Sequence, residues 1–385
     1  MSVQSGMSRW SRREALLIAR EGSVDEAKAL ISSLDVDLLD VIVLKNTYRP
    51  DRNTYLGRGK LEGLRNTYPE LSPDRSVLYV YDRLYPRQII NLMKALKTDV
   101  KDKVGLILEI FAVHAGSKEA KLQIEMAEIL HTMPLIKEWI RKAKMKELPG
   151  YMGPGRYAVD AYYTHMKSRL ARIRRELAKL RERRGQERMS RVRRGMPHVA
   201  IGGYANAGKT TLFNALTDSE KPTGPEMFTT LSPKIKAAMI NGSKIAFVDT
   251  VGFIRDIPHE VIEAFYATLE QISTSDLTIL VIDSSEPPEN TADRLRSSID
   301  ILRRIGYVGK PLITVLNKKD LNPANTETNS RIAAEVLSTA WPWRWRIVKV
   351  SALQRKGLEV LKDAIVNELV KPREEEKTVT SRYVM

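Results

Sequence analysis

The chain has 385 residues, 43% hydrophobic and 29% charged, a globular composition long enough for two or three domains with full cores. It contains no cysteine, which excludes disulfides, thiolate metal sites and cysteine nucleophiles and fits a reducing cytoplasm. No apolar run nears the ~18 residues of a membrane span, and a net charge of +16 points to an anionic partner.

Strand and helix signals alternate through residues 1–115. Glu14–Arg20 and Leu38–Leu44 read as strands around a helix from Val24 to Leu34. Val77–Val80 reads as a strand, Pro86–Leu96 as a helix and Val104–Leu108 as a further apolar strand. This alternation predicts a small parallel sheet flanked by helices. Gly57-Arg58-Gly59-Lys60 opens a helix. It could hold an anion at the helix N-terminus, but its spacing is too short for a phosphate loop and it lacks the Ser/Thr, so a structural turn is the expectation.

Residues 116–195 predict an αα-hairpin. Leu122, Ile129, Leu130, Met133, Ile136 and Ile140 share one face of a helix from Lys118 to Met145. A second helix carries Leu170, Ile173, Leu177 and Leu180, a narrow seam suited to one partner helix. The join over 149–155 is rich in glycine and proline and reads as a hinge. Between Lys167 and Arg194 stand thirteen Lys/Arg against three Asp/Glu, so this segment holds +10 of the total charge. A charge run is ordinarily a solvated face. One sign sustained over this length repels itself unless a polyanion is present, and RNA contact is the expectation.

From residue 196 to about 370 the pattern is a phosphate-loop domain, followed by a charged, unpatterned tail over 371–385. His198-Val199-Ala200-Ile201-Gly202 reads as a buried strand, and Thr211-Leu212-Phe213 opens a helix. Between them Gly203-Tyr204-Ala205-Asn206-Ala207-Gly208-Lys209-Thr210 is a complete G-x-x-x-x-G-K-[ST]. Glycines let backbone N–H groups close around phosphates, and the helix N-terminus adds a favourable dipole. Lys209 is placed to reach the β- and γ-phosphates, and Thr210 offers a hydroxyl to Mg²⁺.

Asp249-Thr250-Val251-Gly252 follows the apolar run Ile245–Val248. A D-x-x-G at a strand end brings an acid to the Mg²⁺ shell and a glycine N–H to the γ-phosphate. Asn317-Lys318-Lys319-Asp320 follows Leu312–Leu316. Its aspartate can accept two hydrogen bonds from guanine, a donor pair that adenine lacks. Ser351-Ala352-Leu353 follows Ile347–Val350, and the Ala352 N–H can donate to guanine O6. Phe228-Thr229-Thr230-Leu231-Ser232 is a weaker fifth element, in which Thr229 and Thr230 both qualify as a switch ligand to Mg²⁺. After Gly252, where many GTPases place a water-orienting glutamine, stands Phe253. Intrinsic hydrolysis is therefore expected to be slow.

Gly203–Lys209, Phe228-Thr229-Thr230-Leu231, Asp249-Thr250-Val251-Gly252-Phe253-Ile254 and Asn317-Lys318-Lys319-Asp320 resemble the HflX family of ribosome-associated GTPases, in its short archaeal form within the OBG–HflX-like superfamily. The resemblance extends upstream to Tyr55-Leu56-Gly57-Arg58-Gly59-Lys60, to Ile110–Ala115 and to Lys121-Leu122-Gln123-Ile124-Glu125-Met126-Ala127, covering roughly residues 12–370. It implies an N-terminal parallel α/β domain, a basic αα-hairpin and a Ras-like G domain. By the family pattern Thr230 is the switch ligand, joining Thr210 at the metal and Lys209 and Gly252 at the γ-phosphate. The resemblance further implies a cytoplasmic, monomeric Mg²⁺-dependent GTPase acting in ribosome splitting, rescue or biogenesis. Its partners would be the large (50S) subunit and ribosomal RNA, met through the N-terminal domain and basic helix. The family linker continues G-P-G-E, whereas Arg156-Tyr157 follows Gly155 here, which argues against an ATP site. An RNA-remodelling ATPase and a non-catalytic GTP-sensing scaffold are the rival classes.

Overall fold

A computed structural model describes residues 13–144, 156–193, 195–219, 234–250, 252–253 and 266–370. The described residues up to Leu180 form one compact unit and those from Arg181 onward another.

The first unit is built on four parallel strands: β1 (Arg13–Arg20), β2 (Val36–Leu44), β3 (Ser76–Val80) and β4 (Asp99–Asp102). Their order is β2-β1-β3-β4. The inner strands β1 and β3 are continuous apolar runs because helices cover both faces of a parallel sheet. The connecting helices are α1 (Val24–Ile31), α2 (Arg58–Thr67), α3 (Pro86–Leu96) and α4 (Lys103–His114).

One expected strand is a helix instead. Val104–Leu108 lies inside α4, where Val104, Leu106, Ile107, Leu108, Ile110 and Phe111 are all buried. A helix buried all round loses its 3.6-residue signature and mimics a core strand. Asp102 sets the boundary, because its carboxylate accepts the Gly105 N–H at 2.9 Å and caps the helix. The actual strand is the short, charged Asp99–Asp102.

Two long helices follow, α5 (Lys118–Lys144) and α6 (Arg156–Arg193). Leu170, Ile173 and Leu177 of α6 pack with Leu122, Met126 and Ile129 of α5, flanked by Leu130, Met133, Met166 and Leu180. Arg169 makes a bidentate pair with Glu125, and Lys118 reaches Glu176 at 3.1 Å. The expected hinge over 149–155 lies outside the described residues.

The second unit holds a six-stranded sheet in the order β10-β9-β8-β5-β7-β6. The strands are β5 (His198–Gly203), β6 (Lys234–Ile240), β7 (Ser243–Asp249), β8 (Leu277–Asp283), β9 (Leu312–Asn317) and β10 (Trp345–Lys349). All pair in parallel except the edge strand β6, which runs antiparallel to β7. The helices are α7 (Lys209–Thr217), α8 (Tyr266–Ser273), α9 (Pro288–Arg304), α10 (Pro323–Ala340) and α11 (Leu358–Val370).

Parallel register brings the C-terminal ends of the inner strands to one rim. Ile201 pairs with Asp249, Gly203 with Val281, and Asp283 with Asn317. In open α/β sheets ligand crevices form at such a rim. Trp341, in the loop before β10, belongs to the interior. It is buried and stacks on Tyr307 at 5.9 Å, while Trp343 meets its edge at 4.8 Å. No helix among the described residues is long and apolar enough to cross a membrane.

Candidate nucleotide site

The loop from Gly203 to Lys209 leaves β5 and turns into α7 in a conformation that its glycines permit. Gly203 has φ +139°, and a Cβ there would lie 2.2 Å from the Val281 carbonyl oxygen. Gly208 has φ +88°, and a Cβ there would lie 2.3 Å from Asn317 Nδ2. Each position therefore excludes a side chain both by backbone strain and by contact. Asn206 also adopts a positive φ of 61° and is exposed.

Lys209 opens α7 with its side chain buried, and its ammonium donates to the Tyr204 carbonyl at 2.6 Å. Burial pulls its pKa down to about 8, partly opposed by the negative charge of Asp249. The fully buried Asp249 ends β7 and accepts the Thr210 hydroxyl at 3.2 Å. Thr250 is buried and donates to the Ile201 carbonyl at 2.7 Å, which ties this strand end to β5.

The next turn is fastened to the phosphate loop by two backbone bonds. Ala205 N–H donates to the Phe253 carbonyl at 2.9 Å, and Phe253 N–H donates to the Gly203 carbonyl at 2.8 Å. Between them Gly252 lies so close that a Cβ would sit 2.9 Å from Ala205 Cα and 3.0 Å from Lys209 Nζ. The Phe253 ring is fully buried and faces Gly202.

Asn317 joins three loops. Its Nδ2 donates to the Ala207 carbonyl at 2.9 Å, and its Oδ1 accepts the Ala352 N–H at 2.9 Å. The Lys318 ammonium pairs with Asp283 at 2.7 Å, and Lys319 N–H donates to the Val350 carbonyl at 3.2 Å. Asp320 is half-buried, and no hydrogen bond or ion pair links its carboxylate to the other described residues. Ser351 Oγ accepts the Gln354 N–H, while Leu353 is 79% exposed at the loop tip. The rim can thus offer backbone donors and an ammonium to phosphates, a hydroxyl and a carboxylate to a hard cation, and an aspartate to a base.

Three family models tile the sequence. One described as 50S ribosome-binding GTPase matches residues 198–318, a GTP-binding GTPase middle region matches 114–191, and a GTP-binding GTPase N-terminal region matches 21–112. The GTPase HflX of Hyperthermus butylicus is 44% identical over 358 residues, covering 92% of each chain. The chain belongs to the GTPase HflX family. The Saccharolobus solfataricus GTPase HflX is 37% identical over 91% of this chain and 97% of its own. Among solved structures, the SsGBP–GDP complex matches with TM-score 0.55 at 32% identity, covering 93% of this chain and 98% of that one. A GDP complex of a GTP-binding protein from Sulfolobus solfataricus matches with TM-score 0.51 at the same identity and coverage. As an HflX GTPase, the protein binds guanine nucleotides and hydrolyses GTP.

For an HflX GTPase the local motifs converge well. Residues 203–211, Asp249, Thr250, Gly252, Asn317–Asp320 and Ser351–Leu353 all sit at or beside the one rim. Phe228, Thr229, Thr230, Leu231, Ser232 and Val251 lie outside the described residues. The Ala352 N–H, read as a donor to guanine O6, lies at this rim and donates to Asn317 Oδ1, which the neighbouring strands β9 and β10 bring alongside it. Sequence reasoning placed Tyr204 in the phosphate loop but missed Asp283, Glu286 and Arg294, whose contacts join segments far apart in the chain. No local pattern announces them.

Proposed function

We propose that this HflX GTPase uses Mg²⁺ and acts on the large ribosomal subunit, in the cytoplasm and as a monomer. The carrying observation is the set of bonds that fastens three motif loops into one site, with Asn317 at its centre and Phe253 on the phosphate loop. Gly203–Thr211 would wrap the phosphates, Lys209 would serve the β- and γ-oxygens, and the Gly252 N–H would meet the γ-phosphate. Asp320 would read the base, with Ser351, Ala352 and Leu353 along its edge. Phe228–Ser232 would supply the switch segment, with Thr230 as its ligand.

The Thr210 hydroxyl and Asp249 carboxylate are paired hard oxygens, which suit Mg²⁺. Among the described residues no group of three or more His, Cys, Asp or Glu could hold a metal ion. Such a site fits an ion that takes its remaining ligands from water and nucleotide phosphates. When bound, Mg²⁺ neutralises charge on the β- and γ-phosphates. Phe253 cannot hydrogen-bond a water through its side chain and is turned into the core, so hydrolysis depends on another group or on a partner to orient the water.

Ribosome binding rests on the family model's description and on the exposed cations of α6. Residues 1–115 and the hairpin 116–195 would engage ribosomal RNA, while 196–370 would hydrolyse GTP. Co-sedimentation with large subunits in GTP, GDP and a non-hydrolysable analogue tests this, together with single-turnover hydrolysis. Nucleotide-dependent binding and faster hydrolysis on ribosomes are expected. Binding and turnover indifferent to ribosomes overturn the reading.

A further inference from the structure

The second residue of the phosphate loop is a tyrosine, and its side chain does not face the nucleotide rim. Tyr204 is buried, with its hydroxyl donating to Ser297 Oγ of α9 at 3.3 Å. The Arg294 guanidinium, one turn earlier on α9, lies 5.2 Å from the centre of the Tyr204 ring. A cation over an aromatic face is attracted by the ring quadrupole, more strongly when water is partly excluded. Arg294 is itself fixed by an ion pair with Glu286 at 2.6 Å, and its side chain is 34% exposed.

What this clamp holds is the peptide that matters most in the loop. The Tyr204 carbonyl receives the Lys209 ammonium. The two bonds to Phe253 bracket the same residue, through Gly203 on one side and Ala205 on the other. Moving the ring would therefore move the acceptor of Lys209 and the register of Phe253 together.

The far end of the clamp leads to the base side. The Glu286 carbonyl accepts from Asn325 at 3.4 Å and from Asn329 at 3.0 Å, both on α10. Asn329 also donates to the Ser284 carbonyl, and Ser284 N–H donates to the Asn317 carbonyl at 2.9 Å. Asp283, at the start of this loop, pairs with Lys318. The segment 283–286 is thus held by the guanine motif at one end and holds Arg294 at the other.

The geometry points to Arg294 as a positioning residue of the GTPase, acting through the Tyr204 ring to set the Lys209 ammonium relative to the base-binding loop. This rests on the proposed role of Lys209 at the β- and γ-phosphates. Arg294 touches no substrate in this scheme. It fixes the distance between the part of the site that reads the base and the part that holds the phosphates. A nucleotide gripped at both ends gains affinity from that fixed span, because less ordering is left to be done on binding.

The test is nucleotide affinity of the full chain, measured for GDP and, by competition, for GMP, which lacks the β-phosphate that Lys209 serves. Arg294→Met keeps the stem and removes the charge. GDP affinity should fall roughly 3- to 30-fold, in line with one partly buried cation–π contact. GMP affinity should stay within about twofold, and Arg294→Lys should recover most of the loss. Tyr204→Leu should weaken GDP by a similar factor, and adding Arg294→Met to it should cause little further loss. Glu286→Gln preserves volume and tests the same link should Arg294→Met fold poorly, again with GDP weakened and GMP spared. Equal weakening of GDP and GMP, no recovery with lysine, or fully additive losses would show that Arg294 merely stabilises the fold. Lys209→Ala separates the two readings. If it leaves GDP affinity intact, the role of Lys209 fails whatever Arg294 does.

Discussion

Lys209 carries a charge in a place that resists charge. Its pKa of about 8 lies below that of a lysine in an unfolded chain, near 10.4, so the folded state binds its proton less tightly. The sign follows from linkage. Between pH 8 and about 10.4 the unfolded chain holds the extra proton, and stability of nucleotide-free protein gains with rising pH from this group. Below pH 8 the full penalty is present, on the order of 3 kcal/mol. Lys209→Met should therefore raise the nucleotide-free unfolding free energy at pH 7 while abolishing tight GTP binding. Urea unfolding of both proteins at pH 7 and pH 10 checks this, and a stability gap that does not shrink at the higher pH contradicts it. At the other end of the rim, Asp320→Asn should exchange preference from GTP to xanthosine triphosphate by about 100-fold or more, because the amide donates where the carboxylate accepted. Retained preference for GTP in competition binding would remove the base assignment. Phe253→Ala should lower stability by about 3–5 kcal/mol, the cost of emptying a fully buried aromatic site. Intrinsic turnover per folded molecule should change little, since the ring can neither move a proton nor hold a water. A 100-fold drop in turnover would mean that switch geometry depends on the ring.

At the scale of elements, the hairpin offers a clean separation of packing from charge. The α6 seam is inward, with Ile173 fully buried, while Arg172, Arg175, Lys179 and Arg183 are exposed. Replacing these four by glutamine keeps helix propensity and leaves the seam intact. Ribosome or RNA affinity should fall, and its log–log salt slope should flatten by up to about 3 units if all four meet phosphates. An unchanged slope would make the run a solvated face. Ile173→Asp should instead unfold the hairpin, visible as lost helical circular dichroism. These two helices were legible from sequence because one apolar stripe repeats over many turns. The P-loop, D-x-x-G and N-K-x-D were legible because each is a short string beside a strand. Illegibility has equally physical causes. Val104–Leu108 is apolar on every side of α4, so no period betrays the helix. The clamp of Arg294 on Tyr204 spans ninety positions and exists only after β5 and α9 are brought together. The bond from the Ala352 N–H to Asn317 Oδ1 likewise exists only once β9 and β10 lie side by side.

For the whole molecule, the excess of +16 is concentrated where a helix can present it, leaving the remaining residues with little net charge. Association with a polyanion should then depend steeply on ionic strength while GTP binding does not. Titrating salt in parallel nucleotide and ribosome binding experiments would show the two curves separating, and parallel curves would argue against that division of labour. The burial of Lys209 has a further consequence at this scale. A nucleotide whose phosphates answer that ammonium acts as a folding ligand, adding about 2.7 kcal/mol when present at a hundred times its dissociation constant. The amount of intact protein in a cell would then follow its guanine-nucleotide supply. A fall in that supply would lower the fraction of molecules protected from unfolding and degradation.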